Sequence, residues 1–169
     1  VIVGHSMGSL VAQRFAIDQP RRTACLVLLG AFRTLKGNGD VEAMWRDVVA
    51  TMTDPVDPAF VRDFQHSTLA RPVPPGFFEM VVAESLKMPA HAWRSVLSGL
   101  RDEDFTPELR RIEAPTLVLW GGRDVFTARG DQEALAAAIP AARLVVWPDA
   151  GHALHWEDPG RAAAEITAF

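Results

Sequence analysis

The chain has 169 residues, enough for one domain with a substantial core, and its 49% hydrophobic and 22% charged residues are ordinary for a globular protein. A formal net charge of -4 argues against a nucleic-acid binder, which carries a basic surplus or patch. No apolar run approaches the roughly 20 residues that a membrane helix needs, and the single cysteine, Cys25, excludes an intrachain disulfide and fits a reducing, cytoplasmic compartment.

Residues 1–3 read as the end of a buried strand, which breaks into Gly4-His5-Ser6-Met7-Gly8. A helical pattern follows at once, to about Gln19, with Met7, Leu10, Val11, Phe15 and Ala16 as its apolar face. Pro20 ends it. Residues 24–29 form a short uninterrupted apolar run, the pattern of a parallel strand covered on both faces, with Cys25 expected as a buried thiol. Strand, helix, strand makes one βαβ unit.

From about Phe32 to Arg111 the pattern is helix after helix. Apolar positions recur at helical spacing over 40–53, and Asp57-Pro58 caps and opens a second helix. The stretch 72–76, with three prolines, reads as a rigid linker. A third helix follows through Leu86, Pro89 starts a fourth, and Thr106-Pro107 opens a short turn. The α/β pattern resumes with a strand at 116–120, a helix at 128–138 and a strand at 143–147. Asp158-Pro159 supplies the cap and first turn of a last helix.

Three residues fall just past the carboxyl ends of strands, the edge where sites assemble in an open parallel sheet. Ser6 sits on the Gly-x-Ser-x-Gly turn, Asp124 follows the strand 116–120, and His152 follows the strand 143–147. A serine hydroxyl is a weak nucleophile at neutral pH. A neutral imidazole within hydrogen-bond reach takes its proton during attack and returns it to the leaving group. A carboxylate fixes the imidazole tautomer and stabilises the imidazolium. The backbone N–H of Met7, next to Ser6 at a helix start, is a candidate oxyanion donor. The flanking Gly4 and Gly8 are expected because a Cβ at either would collide with the neighbouring strand and helix.

Asp131 and Asp149 compete with Asp124. Asp131 falls inside the helix expected over 128–138, and Asp149 lies three residues from His152 on one loop. The position after the second strand reads Gly30-Ala31-Phe32-Arg33, with no carboxylate before Asp40, which favours Asp124. His5 is read as a packing residue beside Ser6, and His155 as packing or facing solvent. His66 and His91 are placed on solvated faces of the helical insert. No Cys, His or carboxylate cluster has metal-ligand spacing, so neither metal nor other cofactor is expected. Trp45, Phe64, Phe77, Phe78 and Trp93 are read as insert core, with some of them free to line an apolar pocket.

The chain resembles the α/β-hydrolase superfamily, in particular its cap-bearing esterase- and lactonase-like members. The resemblance rests on Gly-His-Ser-Met-Gly at 4–8, on Ala-Pro-Thr-Leu-Val-Leu-Trp-Gly-Gly-Arg-Asp at 114–124 and on Ala-Gly-His-Ala-Leu-His-Trp-Glu-Asp-Pro at 150–159, in the order Ser, Asp, His that those enzymes use. It implies an α/β fold, with residues 1–30 and 111–169 as a mostly parallel core and 31–110 as a helical cap inserted after the sixth strand. It also implies four further strands before residue 1, and a second oxyanion donor on a loop among them. The chain is therefore expected to be the C-terminal portion of a longer protein, with an unpaired edge on its first strand. As an isolated piece it is expected to be poorly stable and nearly inactive.

The expected activity is hydrolysis of a small ester or lactone through an acyl-enzyme, with Ser6, Asp124 and His152 catalytic. A small-molecule substrate is the only partner expected, with neither nucleic acid nor membrane. Carbon–carbon bond hydrolysis, perhydrolysis and acyl transfer use the same residues and remain open. So do a hydrolase-fold ligand receptor with little turnover and an inactive truncated product.

Overall fold

The computed structural model describes residues 1–169, which divide into two compact units. The first comprises 1–33, 68–71 and 105–169, and the second 34–67 and 72–104. The insert therefore starts three residues later than the expected 31 and ends at 104 rather than 110. Its middle is interrupted by a four-residue strap that belongs with the first unit.

The first unit is built on four parallel strands in the order β1 (Ile2–His5), β2 (Leu26–Leu29), β3 (Thr116–Gly121) and β4 (Ala142–Trp147). Four helices accompany them: α1 (Met7–Asp18), α6 (Arg129–Ala138), the single turn α7 (Leu154–Glu157) and α8 (Pro159–Ala168). Successive side chains of a strand point to opposite faces, and here both faces are covered. Leu26, Leu28 and Val118 pack with Ala12, Ala16 and Ile17 of α1, with Leu135 of α6 and with Ile139 at its end. Val27, Leu29, Leu117 and Leu119 pack with Trp147, Leu154 and Ala162. That two-sided burial is why β2 and β3 read as unbroken apolar runs. β1 ends the sheet and pairs only with β2.

Several expectations change in detail. Cys25 precedes β2 and is only half-buried; its carbonyl accepts the Ile2 N–H at 2.9 Å. Met7 and Val11 of α1 are exposed, and the buried face is Ser9, Leu10, Ala12, Gln13, Ala16 and Ile17. Gln13 is drawn inward because its Nε2 donates to the Phe32 carbonyl at 3.1 Å, a polar demand that an apolar count does not register.

The second unit holds α2 (Gly39–Asp47), α3 (Pro58–Ser67), α4 (Pro75–Ser85) and α5 (Ala90–Asp102). The helix expected over 40–53 stops at Asp47, and a 3-10 turn covers 49–51. Asn38 caps α2 by accepting the N–H groups of Asp40 and Val41 at 3.0 and 3.1 Å. Pro75 and Gly76 belong to α4, so the rigid linker is shorter than the proline run. The ring of Trp93 meets Phe60 and Phe64 edge-on at 5.5 and 5.4 Å. Thr34 and Asp104 form an antiparallel bridge, so the insert leaves where it enters. No helix of either unit is long and apolar enough to cross a membrane.

Candidate active site

Ser6 stands between β1 and α1. Its N–H donates to the Leu29 carbonyl at 3.0 Å, continuing the strand pairing, and its carbonyl accepts the Ser9 N–H at 2.8 Å, starting the helix. Both roles at one residue force a turn with φ 52° and ψ -121°, the only positive φ outside glycine in the chain. Such a backbone costs about 1–3 kcal/mol and persists only where its surroundings over-determine it. Gly4 supplies part of that determination. A Cβ there would lie 2.3 Å from the Gly8 carbonyl oxygen and 2.8 Å from the Ala12 Cβ, so its absence lets α1 fold back against its own strand. Gly8 is a correction: a Cβ there would meet open space, and the expected collision is confined to Gly4. Met7 opens α1, in the first turn whose N–H groups have no partner further back along the helix.

Asp124 and His152 are brought together. Nδ1 of His152 lies 2.8 Å from Oδ2 of Asp124, with the two side chains 5% and 0% exposed. A carboxylate only accepts, so Nδ1 carries the hydrogen and Nε2 of the neutral ring keeps its lone pair. The carboxylate is itself held. Its Oδ1 accepts the N–H groups of Phe126 and Thr127 at 2.8 and 3.3 Å, and Oδ2 accepts the Thr127 hydroxyl at 2.9 Å. The Thr127 hydroxyl in turn accepts Nε1 of Trp120 at 3.0 Å. A chain of hydrogen bonds thus runs from β3 to the imidazole. The competing carboxylates lie elsewhere: Asp131 faces Arg33 at 3.6 Å and Asp149 pairs with Arg71 at 3.0 Å.

The loop bearing His152 is secured through its backbone. The His152 carbonyl accepts Nε2–H of His5 at 3.1 Å, and the Ala153 N–H donates to the Thr68 carbonyl at 2.9 Å. The Gly151 N–H donates to Oε1 of Glu157 at 3.0 Å. Gly30, at φ 49°, makes room for the ring: a Cβ there would lie 2.9–3.1 Å from the His152 carbonyl oxygen and two imidazole atoms. Burial, with His152 and His155 alongside, lowers the His5 imidazole from 6.5 to about 3. His155 is lowered to about 4, by burial first and by His152 second. Both are therefore neutral at pH 7, and the His5 ring lies 4.9 and 4.4 Å from those of His152 and His155. No group of three or more His, Cys, Asp or Glu side chains is placed to hold a metal ion.

The model of the alpha/beta hydrolase family matches residues 1–166. The chain belongs to that family. Among curated relatives, the 2-hydroxy-6-oxononadienedioate/2-hydroxy-6-oxononatrienedioate hydrolase of Klebsiella pneumoniae is 29% identical, over 92% of this chain and 57% of its own length. Among solved structures, a thermophilic esterase from Thermogutta terrifontis is 28% identical with a TM-score of 0.80, covering 98% of this chain and 62% of the esterase. An esterase from Exiguobacterium antarcticum, at 21% identity and a TM-score of 0.85, shares the fold over 98% of this chain and 64% of its own. This hydrolase-family chain thus spans a little over half the length of the curated relatives it matches.

Reading the sequence missed four residues of this alpha/beta hydrolase site. Thr127 and Trp120 support Asp124, Gly30 clears space for His152, and Glu157 ties down its loop. Only Glu157 carried a local signal, as the one acidic residue between His152 and the Asp158-Pro159 helix start.

Proposed function

We propose that the chain carries the catalytic residues of a serine hydrolase that cleaves a small carboxylic ester or lactone through an acyl-enzyme. The observation that supports it most is the buried Asp124–His152 pair at the strand edge where Ser6 adopts its positive φ. In this reading Oγ of Ser6 attacks the acyl carbon and its proton passes to Nε2 of His152. Asp124 holds the ring through Nδ1 and stabilises the imidazolium, while the Met7 N–H donates to the developing oxyanion. Collapse breaks the bond from acyl carbon to alkoxy oxygen, and the leaving oxygen takes the proton from His152. Water, deprotonated by the same imidazole, then attacks the acyl-Ser6 ester and releases the acid. Residues 34–67 and 72–104 serve in this reading as the cap. The Thermogutta terrifontis esterase, 28% identical and of the same fold, lends support.

Carbon–carbon bond hydrolysis is a second reading, favoured by the name of the Klebsiella pneumoniae relative. Turnover of p-nitrophenyl acetate and of 2-hydroxy-6-oxononadienedioate, side by side, separates the two. Assayed in the longer protein that the resemblance implies, multiple turnovers of the ester, lost in Ser6→Ala, are expected, whereas residues 1–169 alone are expected to be nearly inactive. Turnover of the oxo-acid alone would move the assignment to the second reading. Stoichiometric acylation with no further turnover would point to a receptor.

A further inference from the structure

Glu157 closes α7 and has a fully buried carboxylate. Its Oε1 accepts two backbone hydrogens, from Gly151 at 3.0 Å and from Ala70 at 2.7 Å. Its Oε2 accepts Nε–H of Arg71 at 3.2 Å, and Arg71 reaches on to Asp149 at 3.0 Å. One oxygen therefore bridges two segments far apart in sequence: the loop 149–153 and the strap 68–71. The same two segments meet on the other side of His152, where the Ala153 N–H donates to the Thr68 carbonyl. Their approach is close enough that only glycine fits at 151. A Cβ there would lie 2.6 Å from the Ala70 nitrogen, 2.8 Å from Oε1 of Glu157 and 2.8 Å from the Thr68 carbonyl oxygen.

Isolated burial of a carboxylate is costly, and a loop needs none to be stable. Here the charge sits where it can do one thing an apolar residue cannot, which is to accept two converging N–H groups at once. We propose that Glu157 is a positioning residue for His152: by bridging the Gly151 and Ala70 N–H groups it fixes the His152 loop to the strap Thr68–Arg71. The inference rests on the reading of His152 as the base. Asp124 sets the ring's tautomer, and Glu157 sets where the backbone presents that ring. A misplacement of about 1 Å in such a group costs roughly a hundredfold in rate.

The test compares Glu157→Gln, Glu157→Asp and Glu157→Ala with the wild type. A glutamine carbonyl can still accept both backbone hydrogens, but its amide then faces the Arg71 Nε–H that Oε2 accepts, so Glu157→Gln is compared in the Arg71→Ala background, where that donor is gone; aspartate is one methylene too short to reach both, and alanine reaches neither. Expected are a kcat for Glu157→Gln within about threefold of Arg71→Ala alone, and a fall of about 10- to 100-fold from wild type for the other two, with KM little changed. Amide hydrogen exchange at 68–71 and 149–153 should stay slow in Glu157→Gln and become fast in Glu157→Asp and Glu157→Ala. Should Glu157→Ala not fold, the Gln and Asp pair carries the comparison. Unchanged kcat and exchange in Glu157→Asp, or a Gln variant as impaired as the Asp variant, would overturn the proposal. If the longer protein, with these residues intact, turns over no ester, the functional reading has failed. Exchange alone then decides the clamp, and slow exchange in Glu157→Asp would overturn it.

Discussion

At the scale of single residues, the site depends on backbone conformations and close approaches as much as on reactive groups. Gly30 combines a left-handed φ of 49° with three atoms of His152 within about 3 Å of where a Cβ would stand. Gly30→Ala should lower kcat roughly a hundredfold by displacing the ring; steady-state kinetics on the purified variant measure it, and wild-type kcat would contradict it. Asp124→Asn keeps most of the carboxylate's shape but favours the wrong imidazole tautomer, so a loss of about 10⁴-fold in kcat is expected. His5 and His155 make a prediction about pH. Their folded values, about 3 and about 4, lie below the ordinary 6.5 of an unfolded histidine. Between those limits the unfolded chain binds the proton and the folded chain does not. The stability they contribute is thus full above pH 6.5 and falls as pH drops toward 4, by at most about 1.4 kcal/mol per pH unit for each. Urea midpoints at pH 7, 6 and 5 should decline more steeply in wild type than in His5→Gln, whose amide can still donate to the His152 carbonyl. Parallel declines would show that His5 does not titrate on unfolding.

At the scale of elements, most of what was legible in the sequence was punctuation and two-sided burial. β2 and β3 are covered on both faces, so their apolar runs announced them. Proline and aspartate caps announced α3 and α8, where Asp57 accepts the Ala59 N–H at 2.9 Å and Asp158 that of Arg161 at 3.0 Å. Helix faces were read less well. Val11 fits the apolar spacing of α1 yet is exposed, while the polar Gln13 is buried by one hydrogen bond. The turn α7 left no pattern, since four residues are too few for a period to emerge. Of the proposed site, Ser6, Asp124 and His152 could be nominated from the sequence because each follows a strand. Gly30 could not, because its importance lies in its approach to His152, far off in sequence; Thr127, three residues from Asp124, carries no motif, and Glu157 carried only a weak local signal. Thr127→Val tests the contact with Asp124. It removes the hydroxyl from Asp124 and leaves the buried Trp120 Nε1 without its acceptor, so a loss of about 1–3 kcal/mol in denaturant titration is expected.

At the scale of the whole molecule, a family model that runs from residue 1 to 166 and a parallel sheet with Ser6, Asp124 and His152 beyond its strand ends agree on one architecture. The chain spans 57% of the Klebsiella pneumoniae relative; in the proposed reading its own residues supply the serine, the imidazole, the carboxylate and one oxyanion donor. In the proposed function those residues act together, and incubating the protein with a fluorophosphonate and mapping the adduct by mass spectrometry decides it. A single adduct on Ser6 is predicted, absent from Ser6→Ala and formed at least a hundredfold more slowly in His152→Ala. An adduct elsewhere, or labelling of Ser6 at the same rate without the imidazole, would contradict it.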